Sequence, residues 1–557
     1  MSLRHRTHRV LYVPLDDRPC NAKWPRMLAS VVDFELIMPP DELLGRYNTP
    51  GNPAAIAEWL MRSRGRIDAA VVSLDMLAYG GLIASRSLNT PTEVAMDRLR
   101  VLDVLRGHLG DASILAFNVI MRLSITADSP QTAQYWQLMR EWTELSYQVH
   151  ALSRPDLEER LRTLERSIPG EVIDRFEAAR RRNHAVNMRA VQYVADDIVD
   201  FLALTQEDAA QYGPHLPEQQ ELREAVRRHD IEERVMIYPG ADEAGMVLLA
   251  RFINRHMLRS PSVRVVYSSE EGAERIATFE DRPVRETVEA QISAVGASLA
   301  EDDREPDINL LVATPAPGPR SDYDERGPER EERRAEIRSL LAAGAELRRN
   351  LVLCDVSFPN GAGELLMREL RRSEIEPHRL MSFAAWNTAG NSIGSALAHG
   401  SMRLIALQDK GAFDLAQLVS DISPMRYLEL LNSLIDSERA HVALLFTRLV
   451  DDWLYQTRVR PEVTDHVVTM LKASTFNLAD SYRQTESMVA ERLGEAAADL
   501  WSQHFLARET VRIGLQGSRS SLVLAALEDT HVTLPWRRMF EVNLDFRFGV
   551  ELVAEGD

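Results

Sequence analysis

RVLYVPLDDRPCN, residues 9–21, sets the reading of the fold. Residues 10–13 are apolar without a polar alternation, as expected of a short strand buried on both faces. The strand runs straight into P-L-D-D-R-P-C-N, a loop of two acids, an arginine and two prolines. Apolar runs of the same kind recur at 34–38, 69–73, 114–119, 199–204, 235–238, 263–267, 309–313, 351–355 and 381–385. Between them, 53–62, 91–107, 221–228, 285–299 and 331–343 have helical period. Repeated strand–helix alternation means βαβ units and an α/β fold with mainly parallel sheets. Ten strands are more than a closed (β/α)8-like barrel uses. A Pro-, Gly- and charge-rich stretch, TPAPGPRSDYDERGPEREER at 314–333, falls between strands and reads as an exposed loop. Two parallel-sheet domains are therefore expected, rather than a barrel with additions.

Two regions break the rhythm. Residues 130–196 are polar, rich in Arg and Glu, with Tyr135, Trp136, Trp142 and Tyr147 interleaved, and read as inserted helices over a sheet edge. Within them, EAARRRN at 177–183 reads as a solvated helix face. After residue 413 the strands give way to helical period at 424–436, 440–455, 461–472 and 481–506, with one late β segment at 540–551. The expected organisation is an α/β domain over 1–270 with the helical insertion, a second α/β domain over 271–413, and a mainly helical region over 414–557. One short echo, LDDRP at 15–19 and FEDRP at 279–283, hints at two related halves.

Composition narrows the function. Among 557 residues, 65 Lys+Arg face 84 Asp+Glu, a net charge of −19. That balance disfavours nonspecific nucleic-acid or anionic-membrane binding, which needs a basic face. No apolar run reaches the length of a membrane span, and the first residues show no signal-peptide pattern; a cytoplasmic protein is expected. Two cysteines, Cys20 and Cys354, exclude a disulfide framework or a Cys-rich metal site. Only three lysines occur, Lys23, Lys410 and Lys472, and none sits in GxxxxGK[ST], which removes P-loop NTPases. There is no HExxH or HxH pattern and no G-x-G-x-x-G dinucleotide fingerprint. No cofactor is expected, although an all-oxygen Mg, Mn or Ca site stays open. Oligomeric state is not legible.

In parallel α/β folds ligands bind beyond the carboxyl ends of the strands. Those positions hold Asp16, Asp17, Arg18 and Asn21 after the first strand, then Asp75, Tyr79 and Arg86 after the third. Asn118 and Arg122 close the fourth, Glu207 and Asp208 the fifth, and Asp242, Glu243 and Arg251 the sixth. Asp355 and Asn360 follow the ninth, and Trp386, Asn387 and Asn391 the tenth. A single acid in such a loop is commonly a helix cap. Adjacent acid pairs are harder to explain so, because like charges repel unless an arginine, a metal or a raised pKa relieves them. That is the construction of acid/base sites. Arg18, Arg86, Arg122 and Arg251 could supply the relief, or each could merely stiffen its own loop against a neighbouring aspartate. The small residues of N-T-A-G-N-S-I-G, 387–394, mark close approach of a ligand or of another backbone, and the helix they open could hold an anion. Cys20 lacks a strand-end histidine partner, which argues against a nucleophilic thiol.

The opening VPLDDRPCN, residues 13–21, resembles a bacterial family of unknown function whose members begin with a VPLDDRPxN segment. SLDMLAYGG at 73–81, NVIMR at 118–122, YPGADE at 238–243 and WNTAGN at 386–391 are similar to it too. The resemblance implies no activity or cofactor; it points to the same strand ends. From the residues themselves, the expected function is a hydrolase on a polyhydroxylated, carbohydrate-like small molecule, with glycoside hydrolysis the leading reading. Asp242 and Glu243 are the expected acid/base pair, with Asp16, Asp17, Glu207 or Asp208 supplying a nucleophile or substrate contacts. The asparagines and arginines would bind hydroxyls, and Trp386 would offer a stacking face. Metal-assisted hydrolysis or phosphoryl transfer, and a non-catalytic small-ligand binding protein, are the alternatives.

Overall fold

Every expected apolar run forms a strand, and the strands assemble into two parallel sheets. The computed structural model describes residues 8–63, 65–127, 130–301, 304–316, 330–411, 424–515 and 518–554. The first sheet contains β1 (His8–Val13), β2 (Phe34–Ile37), β3 (Ala69–Ser73), β4 (Ser113–Ile120), β5 (Phe201–Gln206) and β6 (Val235–Pro239), ordered β2-β1-β3-β4-β5-β6. The second contains β7 (Ser262–Tyr267), β8 (Ser298–Leu299), β9 (Ile308–Ala313), β10 (Leu351–Asp355) and β11 (Ser382–Ala384), ordered β8-β7-β9-β10-β11. All pairings in both are parallel. Counted from its own first strand, the second sheet reads 2-1-3-4-5 and the first has the same order with a sixth strand added, a doubly wound order whose switch point lies between strands one and three. Neither sheet closes into a barrel. β7, which precedes residue 270, pairs with β9 and so belongs to the second sheet.

One apolar core spans the two sheets. It takes in Val10, Val71 and Phe117 from the first and Val263, Val312 and Val352 from the second. Helices Pro19–Val31, Ala244–His256, Val284–Ala294 and Ala389–Gly411 fill it, with Ala244–His256 against the first sheet, Ala389–Gly411 against the second, and the two packed on each other. This seam brings the carboxyl ends of the two sheets towards one place. A second core covers the other face of the first sheet, and a third joins the second sheet to the C-terminal region.

Several local expectations are corrected. Residues 285–299 are not one helix: the helix Val284–Ala294 ends and Ser298–Leu299 forms the edge strand β8. The 91–107 helix is two, Thr92–Leu99 and Val101–Leu109. Residues 424–455 form a helix, Pro424–Leu449, that passes without a break into a π-helical stretch, Val450–Val459. The late β segment is the last strand of an antiparallel sheet of β12 (Glu509–Leu515), β13 (Ser518–Thr533) and β14 (Asn543–Ala554). Residues 317–329 of the 314–333 segment lie outside the described residues; its ends, Thr314 and Arg333, are buried and both bond Ser268. The charge run 177–183 is not a solvated face. In the helix Gly170–Ala195, Arg180 and Arg182 are buried; Arg180 donates to the Met121 and Arg122 carbonyls, and Arg182 to those of Ser87 and Thr90. Three-residue spacing cannot show that carbonyls at loop ends await those guanidinium groups.

Candidate functional site

The carboxyl ends of both sheets open on one cavity of about 400 Å³, within the range of small-molecule sites. Arg18, Arg86, Arg122, Glu207, Asp208 and Asp242 reach it from the first sheet, and Asn360 and Asn387 from the second. Five separate strand ends of the first sheet and two of the second are thus gathered around one hollow.

Arg18 is the tie between them. Its Nε donates to both oxygens of Asp16 (3.1 and 3.0 Å), while Nη1 and Nη2 donate to Asp242 Oδ2 (3.2 Å) and Oδ1 (2.5 Å). Asn21, in the first turn of the helix Pro19–Val31, donates from Nδ2 to the same two carboxylates. Arg18 therefore both stiffens its own loop and clamps the end of β1 to the end of β6. Asn387, held at φ +69°, donates to Asp242 Oδ2 (3.0 Å), and Asn391 Oδ1 accepts the Ala241 and Asp242 amides. Asp242 is so fixed from both sheets. Burial pushes its carboxyl up, and Arg18 pulls partly against that.

A second pair of links crosses the first sheet further along. Arg86 bonds Glu207 and Thr126, and Arg122 bonds Asp208. The Nε atoms of Arg86 and Arg122 and Oε2 of Glu207 are buried without a partner among the described residues. Burial, then the nearby Arg86, push the Arg122 guanidinium down to about 9, with Glu207 pulling partly against them.

Other expected residues sit elsewhere. Glu243 does not line the cavity: it accepts the Ala241 amide and a Gln291 Nε2 hydrogen bond at the seam between the sheets, where burial pushes it up to about 7. Asp17 accepts from Trp536 Nε1 (3.0 and 3.1 Å) and borders a separate surface groove with Lys23. Asp75 is buried below the cavity, where Oδ2 accepts the Val119 amide and burial pushes the carboxyl up to about 7. Asn118 bonds Asn187, Arg182 lies over the Tyr79 ring, and Arg251 lies over Phe201 and donates to the Ser293 carbonyl. Asp355 accepts the Ser357 and Gly363 amides and shapes the loop that presents Asn360. Trp386 is buried edge-on to Trp24 and backs Phe540, which lines the cavity in its place. Cys20 is buried, and burial, then the neighbouring Asp242, keep its thiol protonated. His215, His399 and His441 are core residues.

The close approach expected at 387–394 is made by backbone. Gly390 lies against the Pro239 carbonyl at the end of β6, and a Cβ there would overlap it. That helix N-terminus is occupied by the protein's own carboxyl group: the Gly390 amide donates to Glu280 Oε1 (2.8 Å). Glu280 belongs to FEDRP, and burial pushes it up to about 8.

Half of the cavity wall comes from residues that are not at strand ends. Trp136 belongs to the inserted helix Pro130–His150, Phe279 precedes the helix Val284–Ala294, and Arg460, Phe476, Arg538 and Phe540 come from the C-terminal region. Arg538 is paired with Glu541 and lies over Trp536, with Tyr47 and Phe540 close by. The W-R-R-M-F run at 536–540, dense in Arg and aromatics, was the available signal.

Each carboxylate facing the cavity is already bonded to an arginine, so this donor set suits an arginine-ordered acid site better than a divalent-cation cage. Among the described residues, the group of three whose donor atoms lie close enough to share an ion is His8, Asp68 and His256, at the opposite, amino end of β1. No described helix is long and apolar enough to cross a membrane.

A family model described as "Protein of unknown function (DUF4127)" matches residues 10–545. No curated protein and no solved structure matches the chain.

Proposed function

The chain belongs to this family of unknown function, and from the geometry of its cavity we propose that it is a hydrolase acting on a polyhydroxylated small molecule, by glycoside-type acid/base chemistry. The observation that carries the reading is the convergence of Glu207, Asp208 and Asp242, from two strand ends, on a hollow of sugar size. Asn360 and Asn387 offer amide groups for hydroxyls, and Trp136, Phe279 and Phe540 offer apolar faces for a ring. Paired carboxylates with one member pushed up are the working parts of glycoside hydrolysis. In this reading Asp242 is the proton donor and Glu207 or Asp208 the base or nucleophile. Glu243, facing the seam, supports the Asp242 loop.

The test is a panel of chromogenic glycosides. The wild-type protein is expected to turn over at least one. Asp242→Asn and Glu207→Gln are each expected to lower that rate by about 10²–10⁴-fold, the range for loss of a positioned acid or base, with the thermal midpoint within a few degrees of wild type. A panel with no turnover, or variants that retain full rate, would refute the assignment.

A further inference from the structure

We propose that the substrate carries an anionic group, a carboxylate or a phosphate on a hydroxylated ring, and that Arg460 with Arg122 receives it. The inference rests on the carbohydrate reading of the same cavity and specifies its ligand. The wall contains five arginines, Arg18, Arg86, Arg122, Arg460 and Arg538, and three carboxylates. Four of the arginines are matched: Arg18 by Asp16 and Asp242, Arg86 by Glu207, Arg122 by Asp208 and Arg538 by Glu541. Arg460 is not. It is half-buried at the end of the π-helical stretch, lies over the Phe540 ring, and donates from Nη1 to Gln456 Oε1, a neutral acceptor. No ion pair to a described residue involves it.

A half-buried guanidinium without a counter-charge is unfavourable, because part of its hydration is removed and the neutral Gln456 oxygen and the Phe540 face replace it only in part. Its position on the wall of a polar cavity makes a ligand the natural counter-ion. Arg122 gives a second, independent sign. Its Nε is buried and unbonded; burial first, then repulsion from Arg86, Arg140 and Arg538, oppose its charge, and Glu207 offsets them only in part. An incoming anion relieves that repulsion and supplies the missing acceptor. Guanidinium groups also bind planar carboxylate and phosphate oxygens with two parallel hydrogen bonds, which a neutral hydroxyl cannot accept equally well. A neutral sugar would leave both groups as they are.

Isothermal titration at low ionic strength tests this with glucuronate and galacturonate, glucose 6-phosphate and galactose 6-phosphate, and glucose and galactose as neutral counterparts. Inorganic phosphate alone is the control for binding of a bare anion. One acidic sugar is expected to bind at least tenfold tighter than its neutral counterpart, and the hexuronate and phosphate arms identify which anion is meant. Arg460→Gln is expected to reduce that preference to threefold or less, while Arg460→Lys, which keeps the charge but not the paired donors, falls between that variant and wild type. Equal binding of acidic and neutral sugars overturns this proposal and leaves the carbohydrate reading intact. Preference unchanged in Arg460→Gln overturns the assignment to Arg460. Phosphate binding as tightly as the best sugar phosphate, or no sugar binding at all, overturns the proposal together with the carbohydrate reading.

Discussion

Glu280 shows how a single side chain can look catalytic and act structurally. It is a buried acid with a raised pKa beside the candidate site, yet its Oε1 is taken by the Gly390 amide and it does not line the cavity. Its proton has a consequence for stability. The carboxyl moves from an ordinary 4.5 to about 8 in the folded protein, so between those values the folded state holds a proton that the unfolded chain has released. Stability is then greatest below pH 4.5 for this group and falls as pH rises towards 8. Glu243 and Asp75, each pushed up to about 7, act in the same direction. Glu280→Gln keeps an oxygen for the Gly390 amide and removes the ionisation. The variant is expected to match wild type near pH 4.5 and to exceed it at pH 8 by about 1–3 kcal/mol, at roughly 1.4 kcal/mol per pKa unit discounted for relaxation. Urea titrations at the two pH values measure the difference. A wild-type advantage that grows with pH would contradict the sign.

At the scale of elements, the helix Ala389–Gly411 is the part on which the two sheets meet. Its first turn offers Gly390 to the end of β6, Asn391 to the Asp242 loop and, just ahead of it, Asn387 to the Asp242 carboxylate. Gly390→Ala would drive a methyl into the Pro239 carbonyl, and backbone cannot swing aside as a side chain can. A loss of about 1–3 kcal/mol is expected from the overpacking, accompanied by weaker ligand binding because Asn387 and Asn391 shift with the helix. Gly494, in the middle of the helix Tyr482–His504 with open space around its Cβ position, is the contrast. Gly494→Ala should raise stability by up to ~1 kcal/mol through helix propensity alone. Differential scanning calorimetry reads both, and equal shifts for the two would remove the packing argument. The π-helical stretch adds a second fastening. Asp452 Oδ2 accepts the Ala385 amide (2.6 Å) and its carbonyl accepts the Ala362 amide, so the loops presenting Asn360 and Asn387 are both tied to the C-terminal helices. How legible each element is follows from its chemistry. Strands such as β3, AAVVS, are apolar on both faces and cannot be mistaken. β13, SRSSLVLAALEDTHVT, has a helix-forming Leu/Ala centre and polar ends, and it shifts register twice against β14, so no period of two survives in it. β8 has two residues and owes its existence to the neighbouring β7, which local sequence cannot show.

For the whole molecule, the repeated winding order gives the short echo in the sequence a place. LDDRP lies between the first and second strands of the first sheet, just before the crossover helix Pro19–Val31; FEDRP lies between the first and second strands of the other, just before Val284–Ala294. The two segments are used differently. Arg18 faces the cavity, whereas Asp281 pairs with Arg282 and accepts from Gln219, bracing the second sheet against the first. The strand ends of the site were legible because parallel sheets place function there. The aromatic and Arg460–Arg538 wall was not, because it arrives from the C-terminal region by tertiary packing, and no local pattern states which loop will be covered. Each sheet has a further core on its outer face, but one core runs through both and couples the halves. A chain of this length commonly unfolds in steps, but the shared seam predicts a single main transition in which tryptophan fluorescence and far-UV circular dichroism coincide in guanidinium chloride. Val71→Ala in β3 and Val352→Ala in β10, both fully buried in that core, should each lower the same midpoint, by the equivalent of about 1–3 kcal/mol. Two resolved transitions, with Val71→Ala moving one and Val352→Ala the other, would mean that the sheets fold as separate units, and a cavity lined by both would then have to form only after they dock.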